Sequence, residues 1–346
     1  MNALLSLVVV GILIVVAGVG VSTAGLHSLF GVFLPYIAIA LFLGGLIYRV
    51  FSWAKSPVPF RIPTTCGQQK SLPWIKYNKL DNPHTTLGVI GRMLLEVLFF
   101  RSLFRNTRTE LIEGEKVTYG PTKWLWLAGL AFHWTFLVIF IRHLRFFTEP
   151  VPFFVDIIQN VDGFFEIGVP VVYATSLIFL GALTFLVLRR LYIPQVRYIS
   201  LISDYFPLFL ILSIGGSGVL LRHFVKTDVV GIKQLTMGLL SFSPVAPENV
   251  HYLFYIHLFL VCMLIAYFPF SKLTHMAGIF MSPTRNLANT NREVRHINPW
   301  DAPVKVHTYE EYEDDFRDKM VACGIPVDKQ PEPKQDKPEE KTEGKE

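Results

Sequence analysis

Long uninterrupted apolar runs, separated by charged links, dominate the pattern along the chain. Strands of period two and amphipathic helices of period 3.6 do not look like this, whereas membrane-crossing helices do. Residues 4–21 (LLSLVVVGILIVVAGVGV) form the first run and about 33–52 the second. A third covers Lys123 to Phe147, a fourth about Val169 to Leu188, a fifth about Asp204 to Leu221, and a sixth His251 to Phe270. At ~1.5 Å of rise per residue each crosses a hydrocarbon core of ~30 Å. The pattern predicts an all-α, polytopic membrane helix bundle of about six transmembrane helices.

The charges orient it. Arg49 and Lys55 end the second run, Arg189, Arg190 and Arg197 follow the fourth, and Lys272 follows the sixth, while the 22–32 link has no Lys or Arg. The positive-inside rule then puts both termini on the cytoplasmic side of a multi-pass inner-membrane protein. A cleaved signal peptide is the rival reading of residues 4–21, disfavoured by the missing basic start and the length of the run.

Between the spans lie further segments. Residues 54–122 form a basic loop with ten Lys or Arg, Pro-rich at its start. Within it Thr86 to Phe104 is apolar on one side, with Arg92 and Glu96 four apart and Arg101 and Arg105 repeating the spacing. An interfacial helix, a helix under a partner, or a helix-to-helix brace all fit. Thr308 and Glu311 make a capping-box pattern that opens a helix carrying Tyr309, Tyr312, Phe316, Met320 and Cys323 on one face. From about Val327 the composition is too polar to bury a core. The expected organisation is therefore two amino-terminal helices (1–53), the loop (54–122), a four-helix core (123–275), a partner-docking tail (276–326) and a disordered end (327–346).

Composition narrows the chemistry. Of 346 residues 51% are hydrophobic and 14% aromatic, with mean hydropathy +0.41. The net charge of +5 reads as membrane topology rather than a nucleic-acid footprint, because the basic residues cluster between spans. Cys66, Cys262 and Cys323 are scattered without a Cys-x-x-Cys, which excludes a self-contained ferredoxin-type cluster and covalent haem attachment.

Four histidines remain. His133 and His143 lie in the third span, and His257 and His275 in or just beyond the sixth. Imidazoles in lipid are costly without partners, and four of them can hold two haems. The two spans run antiparallel, so His133 pairs with His275 on the inner side and His143 with His257 on the outer side. Ten residues correspond to ~15 Å and eighteen to ~27 Å of helix, leaving ~6 Å of mismatch at each haem for tilt and a kink at Pro269 to absorb. Packing or proton-handling histidines are the rival reading. His27, His84, His223, His251, His296 and His307 read as surface or interfacial residues.

The two spans resemble the haem-bearing helices of the nitrate reductase gamma subunit family, with histidines ten apart on one helix and eighteen apart on another. The ending FPFSKLTH is similar to the family's Phe-Pro-Phe-Ser, basic residue and final histidine. The resemblance covers roughly residues 123–282. It implies two haem b groups, the His143–His257 haem nearer a quinol site and the His133–His275 haem nearer a cytoplasmic iron–sulfur partner. The extra amino-terminal span, the 54–122 loop and the tail depart from the five-span nitrate reductase subunit. They resemble instead the DsrM branch, the cytochrome b subunits of a sulfate-reduction-associated membrane complex. That likeness implies menaquinone as substrate and a soluble partner similar to a heterodisulfide reductase. A multihaem cytochrome c, an iron–sulfur protein and a second quinone-interacting membrane protein complete the implied set.

The family's quinol-site lysine follows the first haem helix, and residues 148–169 contain none. Glu149, Asp156, Asp162 and Glu166 are candidate quinol proton acceptors there, or simply a solvated acidic loop. Arg142, Arg145, Arg222 and Lys226 lie on the outer side against the charge trend. Haem propionates or lipid phosphates would hold them equally well. Outside the cytochrome reading stand a haem-free anchor that docks a soluble enzyme and a proton-coupled transporter, the latter disfavoured by the absence of paired intramembrane carboxylates.

Overall fold

The computed structural model describes residues 1–56, 67–112, 116–164, 166–167, 171–225, 227–247, 249–291, 303 and 306–329. Cys66, Lys226, His296, most of the Pro-rich loop start and residues 330–346 lie outside the described residues, as does the Glu166 side chain.

Six helices are long and apolar enough to cross a membrane, over Asn2–Ser22, Leu29–Ala54, Lys123–Phe146, Ala174–Tyr192, Ile202–Phe224 and Tyr252–Phe270. Their outer surfaces stay apolar, with Leu, Ile, Val or Phe side chains exposed along the first four spans and near the ends of the last two. Only lipid makes such a surface tolerable. The chain is an all-α, multi-pass membrane helix bundle.

In chain order, α1 (Asn2–Ser22) is followed by a π turn and α2 (Leu34–Ala54). The loop then folds into α3 (Thr86–Phe99), α4 (Arg101–Phe104) and a hairpin of β1 (Thr107–Ile112) with β2 (Lys116–Pro121). Next come α5 (Lys123–His143), α6 (Phe153–Phe164), a short β3 (Glu166–Ile167) and β4 (Val172–Tyr173) pair, α7 (Ala174–Tyr192) and α8 (Pro194–Ile199). Then follow α9 (Ile202–Val219), α10 (Val229–Leu240), α11 (Tyr252–Tyr267), α12 (His275–Met281) and α13 (Pro283–Asn286). α6 and α10 are additions to the expected elements, twelve-residue helices in what reads as connecting loop.

Packing runs α5 on α7, α7 on α9, and α9 on both α11 and α1, with α2 against α11. Leu210, Leu235, Tyr255, Phe259 and Leu260 join α9, α10 and α11 to Val10 and Ala17 of α1. Phe179, Leu183 and Ile211 bind α7 to α9, with Phe132 and Ile139 of α5 against them. α5 and α11 make no comparable backbone packing with each other among the described residues.

Thr86 to Phe104 is two helices rather than one continuous stretch. α3 is capped at its start by Thr85 Oγ1, which accepts from Gly88 N at 3.2 Å, and it ends at Phe100, whose φ of 52° lies in the left-handed region. Asp81 holds both Arg101 and Arg105, and Glu96 holds Arg285 of α13, so loop and post-span segment fold together.

The carboxy-terminal unit stands by itself. Its helix α14 (Tyr309–Ala322) begins with the expected reciprocal capping box, Thr308 Oγ1 accepting from Glu311 N and Glu311 Oε2 from Thr308 N. Tyr309, Tyr312 and Phe316 are exposed while Met320 is buried. The polar end expected from Val327 begins with order. Buried Glu313 accepts the backbone N–H of Asp328 at 2.7 Å and of Lys329 at 2.8 Å.

Candidate functional site

α5 carries His133 and His143 toward a side where no helix packs closely on it. The imidazole of His133 stands 6.0 Å from that of His275, centroid to centroid, with the planes at 84°. His143 stands 6.4 Å from His257 with the planes at 12°. The structure therefore brings together the same two couples that antiparallel topology selects, one at the middle of α5 and one at its carboxy-terminal end.

All four rings engage Nδ1, three of them with a carbonyl three or four residues back. His133 Nδ1 meets Gly129 O at 2.7 Å, His143 Nδ1 meets Ile139 O at 2.7 Å, and His275 Nδ1 meets Lys272 O at 2.9 Å. A carbonyl only accepts, so Nδ1 carries the hydrogen and Nε2 keeps its lone pair. His257 reaches the same state through a side chain. Its Nδ1 is 2.9 Å from Ser217 Oγ, whose own hydrogen goes to Ile214 O at 2.9 Å, leaving the hydroxyl oxygen to accept. Fixing the tautomer through the second ring nitrogen is how proteins orient an imidazole for a metal.

The separations test what such rings could hold. Two imidazoles bound on opposite sides of one metal at about 2.0–2.1 Å, each ring centre about 1.1 Å behind its nitrogen, stand about 6.3 Å apart. Both couples match within a few tenths of an ångström. No group of three or more His, Cys, Asp or Glu suited to a metal ion occurs among the described residues. Haem b needs only two axial ligands from the chain, because the macrocycle supplies the others. The residues present fit a haem at each couple.

The eighteen-residue spacing does not act as one bent helix. α11 ends at Tyr267, and two 3-10 turns, Phe268–Phe270 and Lys272–Thr274, flank an extended Ser271 before α12 begins at His275. Pro269 lacks the N–H to continue the helix. Arg49 of α2 donates to the Pro269 carbonyl at 3.2 Å, Ser271 Oγ accepts from Leu273 N, and Lys272 binds Asp204 at 2.7 Å. The mismatch expected of continuous helices is thereby removed, not absorbed by a kink.

At the end of the bundle bearing α6 and α10, charged side chains cluster beside His143. Arg142 is paired with buried Asp162, which also accepts from Thr175 Oγ1 at 2.7 Å. The Arg142 guanidinium lies 4.3 Å over the Tyr173 ring, and Arg222 donates to the Tyr173 hydroxyl at 2.7 Å. Arg145 donates to Gln159 Oε1 at 2.8 Å. Arg145, Phe146, Val151, Asp156, Gln159, Val229 and Lys233 line a cavity of about 170 Å³, and the Phe146 ring is 6.0 Å from that of His143.

The acidic candidates separate here. Asp162 is buried with Arg142 and so is not an open loop carboxylate, whereas Glu149 pairs with Lys233 but stays largely exposed. Asp156 faces the cavity. Two contributors escape sequence reasoning. Lys233 lines the cavity from α10, a distant part of the chain, and pairs with Glu149. Ser217 is visible in sequence only as part of Gly215–Gly218. A Cβ at Gly218 would stand 3.3 Å from His257 Cε1, so glycine allows α9 to come this close to the ring.

A family model of the nitrate reductase gamma subunit matches residues 112–296, which contain both couples. The chain belongs to that family. It is also 47% identical over 280 residues, 79% of its own length and 83% of the relative's, to a protein of Archaeoglobus fulgidus named Hdr-like menaquinol oxidoreductase cytochrome b-like subunit. A protein of the same name from Archaeoglobus profundus is 46% identical over 275 residues, 78% of this chain and 81% of that one. The family match extends the likeness seen in the two histidine-bearing segments to the four spans within residues 112–296.

Proposed function

We propose that the chain is the di-haem b cytochrome subunit of a menaquinol-oxidising membrane complex. The observation that carries this reading is the pair of imidazole couples at 6.0 and 6.4 Å, each ring held by Nδ1. His133 and His275 hold one haem and His143 and His257 the other. Each haem supplies a one-electron carrier in a low-dielectric site, and ~15 Å of α5 separates the two histidines it contributes.

The quinol headgroup docks in the cavity beside Phe146. Lys233, Arg145 and Gln159 offer donors to its oxygens, and Asp156 accepts a proton as the quinol is oxidised. Arg142 and Arg222, crowded around Tyr173, provide positive charge for the propionates of the nearer haem. The positive-inside rule assigns this end to the outer face and both termini to the cytoplasm. A haem held by His133 and His275 would be the one nearer a cytoplasmic iron–sulfur subunit of the heterodisulfide reductase type. The name borne by the Archaeoglobus relatives supports that partner and the choice of menaquinol. The extra amino-terminal span, long loop and tail fit the DsrM branch, in which the terminal acceptor is a sulfur compound reduced elsewhere in the complex.

Asp156→Asn and Lys233→Met test the cavity. In the purified complex, the first slows haem reduction by a menaquinol analogue about a hundredfold, and the second raises the quinol concentration for half-maximal rate. Dithionite-reduced spectra stay unchanged in both. Wild-type quinol kinetics in both variants would remove the site from this cavity.

A further inference from the structure

α3 is built inside out for a helix that packs only on its own protein. Arg92 and Glu96 are buried, whereas Leu87, Ile90, Leu94 and Val97 are exposed, Leu87 at 81% and Leu94 at 54%. Steps of three and four residues put those four on one stripe. The buried face is tied to protein by Glu96, which accepts from Ser102 N at 3.1 Å and holds Arg285 at 2.6 Å. The apolar stripe therefore points away from the cluster that anchors the helix.

The end of α3 is fastened to a membrane span. Trp126 Nε1 of α5 donates to Phe99 O at 2.8 Å, and Trp134 Nε1 donates to Leu98 O at 2.9 Å. Trp134 lies ~16 Å along α5 from Lys123. Leu127, Trp134 and Leu137 of the same span are exposed as well. The stripe thus adjoins an exposed apolar surface of a membrane-spanning helix, which suits lipid.

We infer that α3 lies in the lipid interface with Leu87, Ile90, Leu94 and Val97 on the acyl chains, as a side wall for the His133 end of the bundle. The wall's inner element is Phe100, which follows α3 in a left-handed conformation with its ring edge-on to His133 at 4.9 Å. A soluble partner is the other occupant such a stripe could have. The indole hydrogen bonds to a membrane span decide for lipid, because they fix the helix end against the lipid-facing surface rather than beyond it.

The test places nitroxide labels at Leu87→Cys and Leu94→Cys, with Tyr119→Cys on β2 as the control, in full-length chain carrying Cys66→Ser and Cys323→Ser. The protein is in phosphatidylethanolamine–phosphatidylglycerol nanodiscs, with and without its partner subunits. Collision with oxygen several-fold above collision with a water-soluble nickel chelate at 87 and 94, and the reverse at 119, is the expected result. Nickel accessibility at 87 and 94 equal to that at 119 overturns the inference, as does shielding from both reagents that depends on partner subunits. A photoactivatable phospholipid supplies the arm that needs no variant. Wild-type adducts on residues 86–99 support the inference, and adducts on α5 with none on α3 overturn it. Neither readout requires bound haem, so this test and that of the proposed function fail independently.

Discussion

Ser217→Ala isolates one hydrogen bond at one of the two histidine couples. The hydroxyl of Ser217 is the acceptor for His257 Nδ1–H at 2.9 Å and passes its own hydrogen to Ile214 O. Alanine removes the acceptor and leaves the small volume that Gly218 and Ser217 provide beside the ring. An accepted N–H makes the imidazole a stronger electron donor, which favours ferric over ferrous iron. Losing it raises the reduction potential of that haem. A net hydrogen bond is worth about 0.5–1.5 kcal/mol. At about 59 mV per tenfold change for one electron this is at most about 20–65 mV. His133 and His275 donate instead to the Gly129 and Lys272 carbonyls, and His133 lies midway along α5, away from His143, so a haem held by that couple would keep its potential. A redox titration of the two haems, resolved by optical and electron paramagnetic resonance spectra, reads the difference. An unshifted pair of potentials, or equal movement of both, refutes the reasoning.

Ring planes make a second prediction. Perpendicular imidazoles leave ferric orbitals nearly degenerate, so a haem held by His133 and His275, whose rings stand at 84°, would give the more anisotropic low-spin signal, and one held by His143 and His257, at 12°, the ordinary rhombic one. Two identical rhombic signals contradict this. Asp162→Ala strands the Arg142 guanidinium, whose side chain and that of Asp162 are 13% and 3% exposed. The expected cost is about 3–5 kcal/mol, measured as a lowered midpoint of thermal unfolding. In the tail, the N–H of Asp328, followed by that of Lys329 and by Arg317, holds the Glu313 carboxyl below the usual carboxylate range. A depressed acid stabilises the fold above its unfolded value of about 4.3 and loses that contribution as pH falls toward its folded value. The protection factors of the Asp328 and Lys329 amides, taken against intrinsic rates at each pH, therefore fall below about pH 4.3, and Glu313→Gln lowers them already at neutral pH.

The spans and the couples were legible for the same reason: both depend on one-dimensional spacing. Runs of apolar residues long enough for a bilayer have few alternatives, and antiparallel helices leave one uncrossed way to pair His133, His143, His257 and His275. The parts that were not legible depend on contacts between distant segments. Ser217 meets His257 only because α9 packs on α11, forty residues apart in sequence. Lys233 lines the cavity beside Phe146 although it comes from α10, a twelve-residue helix that reads as loop. The break at Ser271 needs Arg49 and Asp204 to hold it. Pro269 marks a disturbance in the sequence without distinguishing a kink from a helix end. Asp162 looked like an open loop acid because nothing local reveals its burial with Arg142.

The most direct measurement is a reduced-minus-oxidised visible spectrum with haem quantified per polypeptide, on the purified chain produced with haem available and on His143→Ala and His275→Ala. The account predicts two b haems in the wild type and one in each variant, with the surviving species differing between the two. A wild type without a b-type band contradicts it and favours a haem-free anchor. Loss of both haems in each variant, from protein whose helical content and unfolding midpoint match the wild type, contradicts the pairing of ligands.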